Sequence, residues 1–183
     1  AANIRFRQRE EFIRAASGNF YLAQLLCNRA AVHSGIMEAQ PGEPFEISLG
    51  PSDVIASIRD ELSARYREPL LEFAAFDRQR ELHGAALSLL WLLSRSSDGF
   101  VSLKEARLRF PDLRPTFDWF LASNMSTLLA EHPSLKGLLY FRRDPGTLTM
   151  EDPQLKFYLR ELDWVEIAEA SGHGAVTFHP VDG

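Results

Sequence analysis

From residue 84 to residue 93 the sequence reads Gly-Ala-Ala-Leu-Ser-Leu-Leu-Trp-Leu-Leu, without a charge and with a single hydroxyl. A helix built on such a run has no polar face to offer water, so other elements must surround it. It is also far shorter than the roughly 20 apolar residues that cross a bilayer. The pattern predicts a helix over Leu82–Leu93 that forms the core of the C-terminal part of the chain. No longer apolar run occurs. The N-terminus lacks the charged and apolar regions of a signal peptide. These features predict a soluble, cytoplasmic protein without a membrane partner. The chain starts Ala-Ala-Asn, without Met, the start expected of a fragment or a processed product.

With 183 residues the chain has room for one domain or two small ones. An apolar share of 45% and a charged share of 25% exclude a disordered tail. The single cysteine, Cys27, excludes an internal disulfide.

Ahead of the apolar run, Ile4 to Ala16 mixes Arg and Glu with Ile4, Phe6, Phe12 and Ile13, predicting one short amphipathic helix. Phe20 to His33 repeats apolar residues at three and four, predicting a second helix with Asn19 as its N-cap and Gly35 as its stop. Phe45–Leu49 alternates apolar with polar residues and reads as a short strand. Pro51-Ser52-Asp53 opens a third helix, with Val54, Ile55, Ile58, Leu62 and Tyr66 on one face. Pro69 is expected to break or restart it. The charged stretch at 78–83 reads as a boundary between a domain of residues 1–79 and one of residues 80–183, or equally as the start of the next helix.

After the apolar helix come a turn, a short strand at Phe100–Ser102, and a helix to Phe110 opened by Ser102 and Glu105 at capping-box spacing. A turn at Pro111–Pro115 precedes a long helix from Thr116 to Glu131. Leu138–Phe141 and Leu148–Met150 read as strands joined by an Asp144-Pro145-Gly146 turn. Asp152-Pro153 opens a helix running to Leu162, and Ala175–His179 reads as a last strand. Helix, strand, helix, turn, helix and β-hairpin, in that order, are the parts of a winged helix-turn-helix. The expected fold is therefore mainly α with some β (α+β): a helical subdomain followed by a winged helix with a small β-hairpin.

Gly18-Asn19-Phe20-Tyr21-Leu22 resembles the Gly-Asn-Pro-hydrophobic segment that opens a lid helix in AAA+ and STAND-type ATPases. Ser48-Leu49-Gly50-Pro51-Ser52-Asp53-Val54 resembles the turn before the last lid helix. Met150-Glu151-Asp152 looks like the Met-His-Asp of the winged helix that follows such lids. The resemblance spans roughly residues 10–165. It implies a lid-like subdomain, a winged helix, and an ATPase domain as protein partner. Tyr21 stands where many lids carry a nucleotide-sensing Arg. Glu151 replaces the His that contacts a bound diphosphate, and its carboxylate repels phosphate. The chain has no Gly-rich Lys-Ser/Thr phosphate loop, so it does not hydrolyse ATP by that route.

No catalytic constellation stands out, and no cofactor is expected. Cys27 sits in an apolar helix and reads as a structural thiol. His173, His179 and Asp182 match no metal-site spacing, so no metal is expected either.

Two functions lead, and an independent enzyme of unknown type is a third reading. The first is a non-catalytic regulatory or protein-interaction module. Trp119 and Trp164 are its expected interface residues, while Phe117 and Phe120 go to the core and Phe178 remains a further aromatic candidate. The alternative is sequence-specific DNA binding through the winged helix, carried by Lys104, Arg107, Arg114, Thr116, Arg142 and Arg143, with Arg109 adding charge. Charge argues for the first. The formal net charge is −5, and the split is even: 9 basic against 11 acidic residues in 1–79 (net −2), and 11 against 14 in 80–183 (net −3). DNA-binding surfaces are usually basic.

Overall fold

The computed structural model describes residues 3–16, 19–38, 42–80 and 84–174. The described residues are mainly helical with two small sheets, and the chain forms two compact units, residues 1–61 and 62–183. The division falls within a helix, ahead of the charged stretch at 78–83. The expected strand at Ala175–His179, with Phe178, lies outside the described residues.

In the first unit, Ile4 to Ala16 is not one helix. Ile4–Phe6 forms strand β1, and helix α1 starts only at Arg9 and ends at Ala16. The cause is distant in sequence. β1 pairs in parallel with β2 (Phe45–Ile47), Ile4 opposite Phe45 and Phe6 opposite Ile47. The ring of Phe6 then packs on Phe12 of α1, centroids 5.1 Å apart. Helix α2 runs Phe20–His33, and Asn19 caps it by accepting the Leu22 N–H at 3.1 Å. Gly35 follows at φ +77°, a left-handed conformation that costs glycine little. The unit's core holds Phe12, Leu22, Leu26, Ala30, Ile47, Val54 and Ile58.

Helix α3 spans Pro51–Ala74 and contributes to both units. Pro69 does not end it, although proline inside a helix removes a hydrogen bond and crowds the preceding turn. Leu62, Tyr66, Leu70 and Phe73 are all buried, so apolar burial on both sides of Pro69 holds the helix continuous.

In the second unit the apolar run becomes helix α4, Ala85–Arg95, with every residue from Ala85 to Ser94 buried. Strand β3 (Phe100–Ser102) leads directly into α5 (Leu103–Arg109). The expected cap from Ser102 is absent. The Leu103 N–H, at the first position of the helix, donates to the Gly146 carbonyl at 2.9 Å, which ties the hairpin turn to the start of α5. A 3₁₀ turn at Pro111–Leu113 leads into α6 (Arg114–Trp119), which starts two residues ahead of the expected Thr116. A π-helical turn over Phe120–Asn124 joins it to α7 (Met125–Glu131). There the Asn124 side chain donates to the Trp119 carbonyl at 2.6 Å.

Strands β4 (Tyr140–Arg142) and β5 (Thr147–Thr149) form the expected hairpin. β5 lies between β4 and β3, antiparallel to both. Helix α8 (Pro153–Arg160) is capped by Asp152, which accepts the Gln154 N–H at 2.8 Å. It stops short of Leu162. A further helix, α9 (Trp164–Ala170), follows behind its own N-cap, Asp163, whose carboxylate accepts the Val165 and Glu166 N–H groups.

Candidate functional site

The residues proposed to read DNA sit on α5, α6 and the β4–β5 hairpin. Lys104 and Arg114 are exposed at the starts of α5 and α6, and Arg142 and Arg143 are exposed at the hairpin. Arg107 is committed elsewhere, its Nε 3.0 Å from Oδ1 of Asp118 on α6. Thr116 is 1% exposed and offers a groove nothing to touch. Among the described residues, the leading end of α6 therefore presents one cation without an ion pair, Arg114, beside a neutralised Arg–Asp pair.

Of the two interface candidates, Trp119 is half-buried against Phe120, and the Arg80 guanidinium lies 4.6 Å over its ring. Trp164 is half-buried at the first position of α9. Phe117 and Phe120 are fully buried, as expected.

Two polar clusters of the second unit were not visible in the sequence. The first centres on Glu72 of α3. His132 Nδ1 and Ser134 Oγ both donate to it, one to each carboxylate oxygen. These hydrogen bonds, that from Ser134 foremost, hold the Glu72 carboxyl below its ordinary value. The cluster borders an open cavity of about 570 Å³ that also takes in Arg78 and Ser171. It lacks nucleophile–base geometry. In a catalytic triad the histidine stands between hydroxyl and carboxylate, whereas here the carboxylate stands between the other two.

The second centres on Asp77, fully buried after α3. Its Oδ2 accepts the N–H groups of Gly84 at 2.8 Å and Ala85 at 2.6 Å, with Ala86 at 3.4 Å. Asp77 thus caps α4 from outside that helix, and Gly84, at φ +107°, has no side chain to do so. Its Oδ1 is buried without a hydrogen bond among the described residues. Burial pushes the Asp77 carboxyl up, and the three amides and nearby His173 only partly offset this. His173 is itself buried, its Nε2 2.7 Å from the Ala74 carbonyl.

The first unit carries an apolar groove of about 630 Å³ along β1, bounded by Phe12 and Ile13 of α1 and by Ala23 and Cys27 of α2. Burial raises the Cys27 thiol pKa, which keeps it protonated and a poor nucleophile. Among the described residues no three His, Cys, Asp or Glu side chains gather to hold a metal. No described helix is long and apolar enough to cross a membrane. Comparison with protein-family models, curated proteins and solved structures finds no match to this chain.

Proposed function

We propose that this chain is a non-catalytic regulatory and protein-interaction module, a lid-like helical part followed by a winged helix, whose partner is an ATPase domain supplying the phosphate loop this sequence lacks. The winged-helix reading is supported by the order α4, β3, α5, α6–α7, β4, β5 and by the sheet order β3-β5-β4, which places the first short strand beside the hairpin. One observation carries the choice of a protein partner over DNA: the Arg107–Asp118 pair, beside the buried Thr116, neutralises the end of α6 that would lead into a major groove.

Sequence-specific DNA binding is the second reading, favoured by Lys104, Arg114, Arg142 and Arg143, all exposed. Fluorescence anisotropy against mixed-sequence duplex DNA separates the two. Phosphate-held binding falls steeply with salt. The module reading expects no salt-sensitive binding at micromolar protein, even at low salt. It also expects the chain to change the ATP turnover of an AAA+-type nucleotide-binding domain encoded in the same reading frame. Salt-sensitive duplex binding without any effect on turnover would replace it with the DNA reading.

A further inference from the structure

Strand β1 has one partnered edge. The Asn3 carbonyl accepts the Phe45 N–H at 2.9 Å, and the Arg7 N–H donates to the Ile47 carbonyl at 3.0 Å. Backbone groups alternate between the two edges of a strand, so those of Ile4 and Phe6 face away from β2. Among the described residues β1 pairs with β2 alone. The N–H and C=O groups of Ile4 and Phe6 thus form an open edge, and open edges template a further strand.

The apolar groove of this unit borders the same strand. Ile4, Arg5 and Phe6 all line it. Its far wall is apolar, and Ile13 on that wall is 51% exposed. Its charged lining is basic, from Arg5 and Arg9, with Arg7 exposed nearby. None of these three arginines takes part in an ion pair among the described residues. Glu10 and Glu11 on α1, and Glu46 opposite Arg5 on β2, are exposed but do not line the groove.

We propose that the open edge of β1 and the groove beside it dock an extended, acidic segment of a partner protein, which adds a third strand to the β1–β2 sheet. Alternating donors and acceptors call for another backbone, which a fatty acid or other small apolar ligand lacks. Alternate side chains of the incoming strand then fill the apolar groove, and carboxylates meet Arg5 and Arg9. A second copy of β1 is a poor occupant, because its own Ile-Arg-Phe-Arg sequence would set arginine against arginine. The proposal uses the first unit alone and holds whatever the second unit binds.

The test uses the full chain and a short fluorescein-labelled peptide alternating Val with Glu. Saturable anisotropy is expected, with new hydrogen-exchange protection at the Ile4 and Phe6 amides. The joint change Arg5→Glu and Arg9→Glu should weaken binding about tenfold or more. Ile13→Asp, at an exposed position, should weaken it comparably, and N-methylation of the peptide edge that faces β1 should abolish it. The proposal is overturned if the peptide fails to bind at about 1 mM. It is equally overturned if a Val–Lys peptide binds as well, if N-methylation has no effect, or if Ile4 and Phe6 are protected without peptide in a concentration-dependent dimer.

Discussion

The carboxylate of Asp77 meets the backbone N–H of Ala85 at 2.6 Å, joining the residues just past α3 to the first turn of α4. This contact satisfies amides at the start of the helix around which the second unit packs. Asp77→Ala leaves the N–H groups of Gly84, Ala85 and Ala86 buried without an acceptor. Such a loss costs about 2–4 kcal/mol. Asp77→Asn keeps an oxygen acceptor and should cost clearly less. Urea denaturation of the two variants checks the order, and equal losses would mean that the negative charge, rather than the acceptor, does the capping.

The same residue sets part of the pH dependence. Because burial raises its folded pKa, the protonated form is favoured in the fold. That contribution to stability is complete below the ordinary aspartate value and is lost as pH rises through the folded value. Glu72 has the opposite sign. Its folded pKa is lowered, so its contribution is present above the ordinary glutamate value and lost as pH falls through the folded one. The Glu72 side chain is 36% exposed, so its share is that of a surface pair, about 1 kcal/mol or less. Glu72→Gln should therefore remove a small acid-side loss of stability, while Asp77→Asn should flatten the fall on the rising side. Thermal melts from pH 3 to 8 on the wild type and both variants read the two slopes separately.

Gly146 closes the β4–β5 turn at φ +83°, and a Cβ placed there would lie 2.7 Å from Cδ2 of Leu121 in the π-helical turn. Gly146→Ala meets two penalties. Left-handed backbone costs a non-glycine residue about 1–2 kcal/mol. The clash with Leu121 adds to it, although the far end of that side chain can turn away. Adding Leu121→Ala should relieve the clash and leave the backbone cost. If the double variant shows no residual loss beyond that of Leu121→Ala alone, the backbone argument is wrong.

What the sequence made legible was local. Asn19, Asp152 and Gly35 act within a few residues of their own helix ends, and the structure has them as expected. The β4–β5 hairpin is local too, closed by its own turn. The features that escaped notice depend on partners far along the chain. His132 lies 60 residues from Glu72. β1 is a strand only because β2 pairs with it, and Ile-Arg-Phe alone fits a helix as well as a strand. Asp77 caps a helix that begins beyond Gly84, outside the spacing at which N-caps are read. Pro69 erred in the other direction, because a purely local rule was overruled by tertiary burial.

The Arg107–Asp118 pair gives the sharpest charge test of the second unit. Its partners are 25% and 48% exposed, so breaking it costs at most about 1 kcal/mol and leaves the fold intact. Asp118→Asn removes one negative charge and frees the Arg107 guanidinium beside Arg114. If this surface were built for phosphates, the variant would bind duplex DNA more tightly at low salt. Its log-affinity against log-salt slope would steepen by roughly one counterion. Arg142→Ala with Arg143→Ala would then reverse the gain. The module reading expects no duplex binding by any of the three proteins at micromolar concentration. Duplex binding that appears in Asp118→Asn and disappears when Arg142→Ala and Arg143→Ala are added would place a latent nucleic-acid surface on α6 and the hairpin, held in check by one carboxylate.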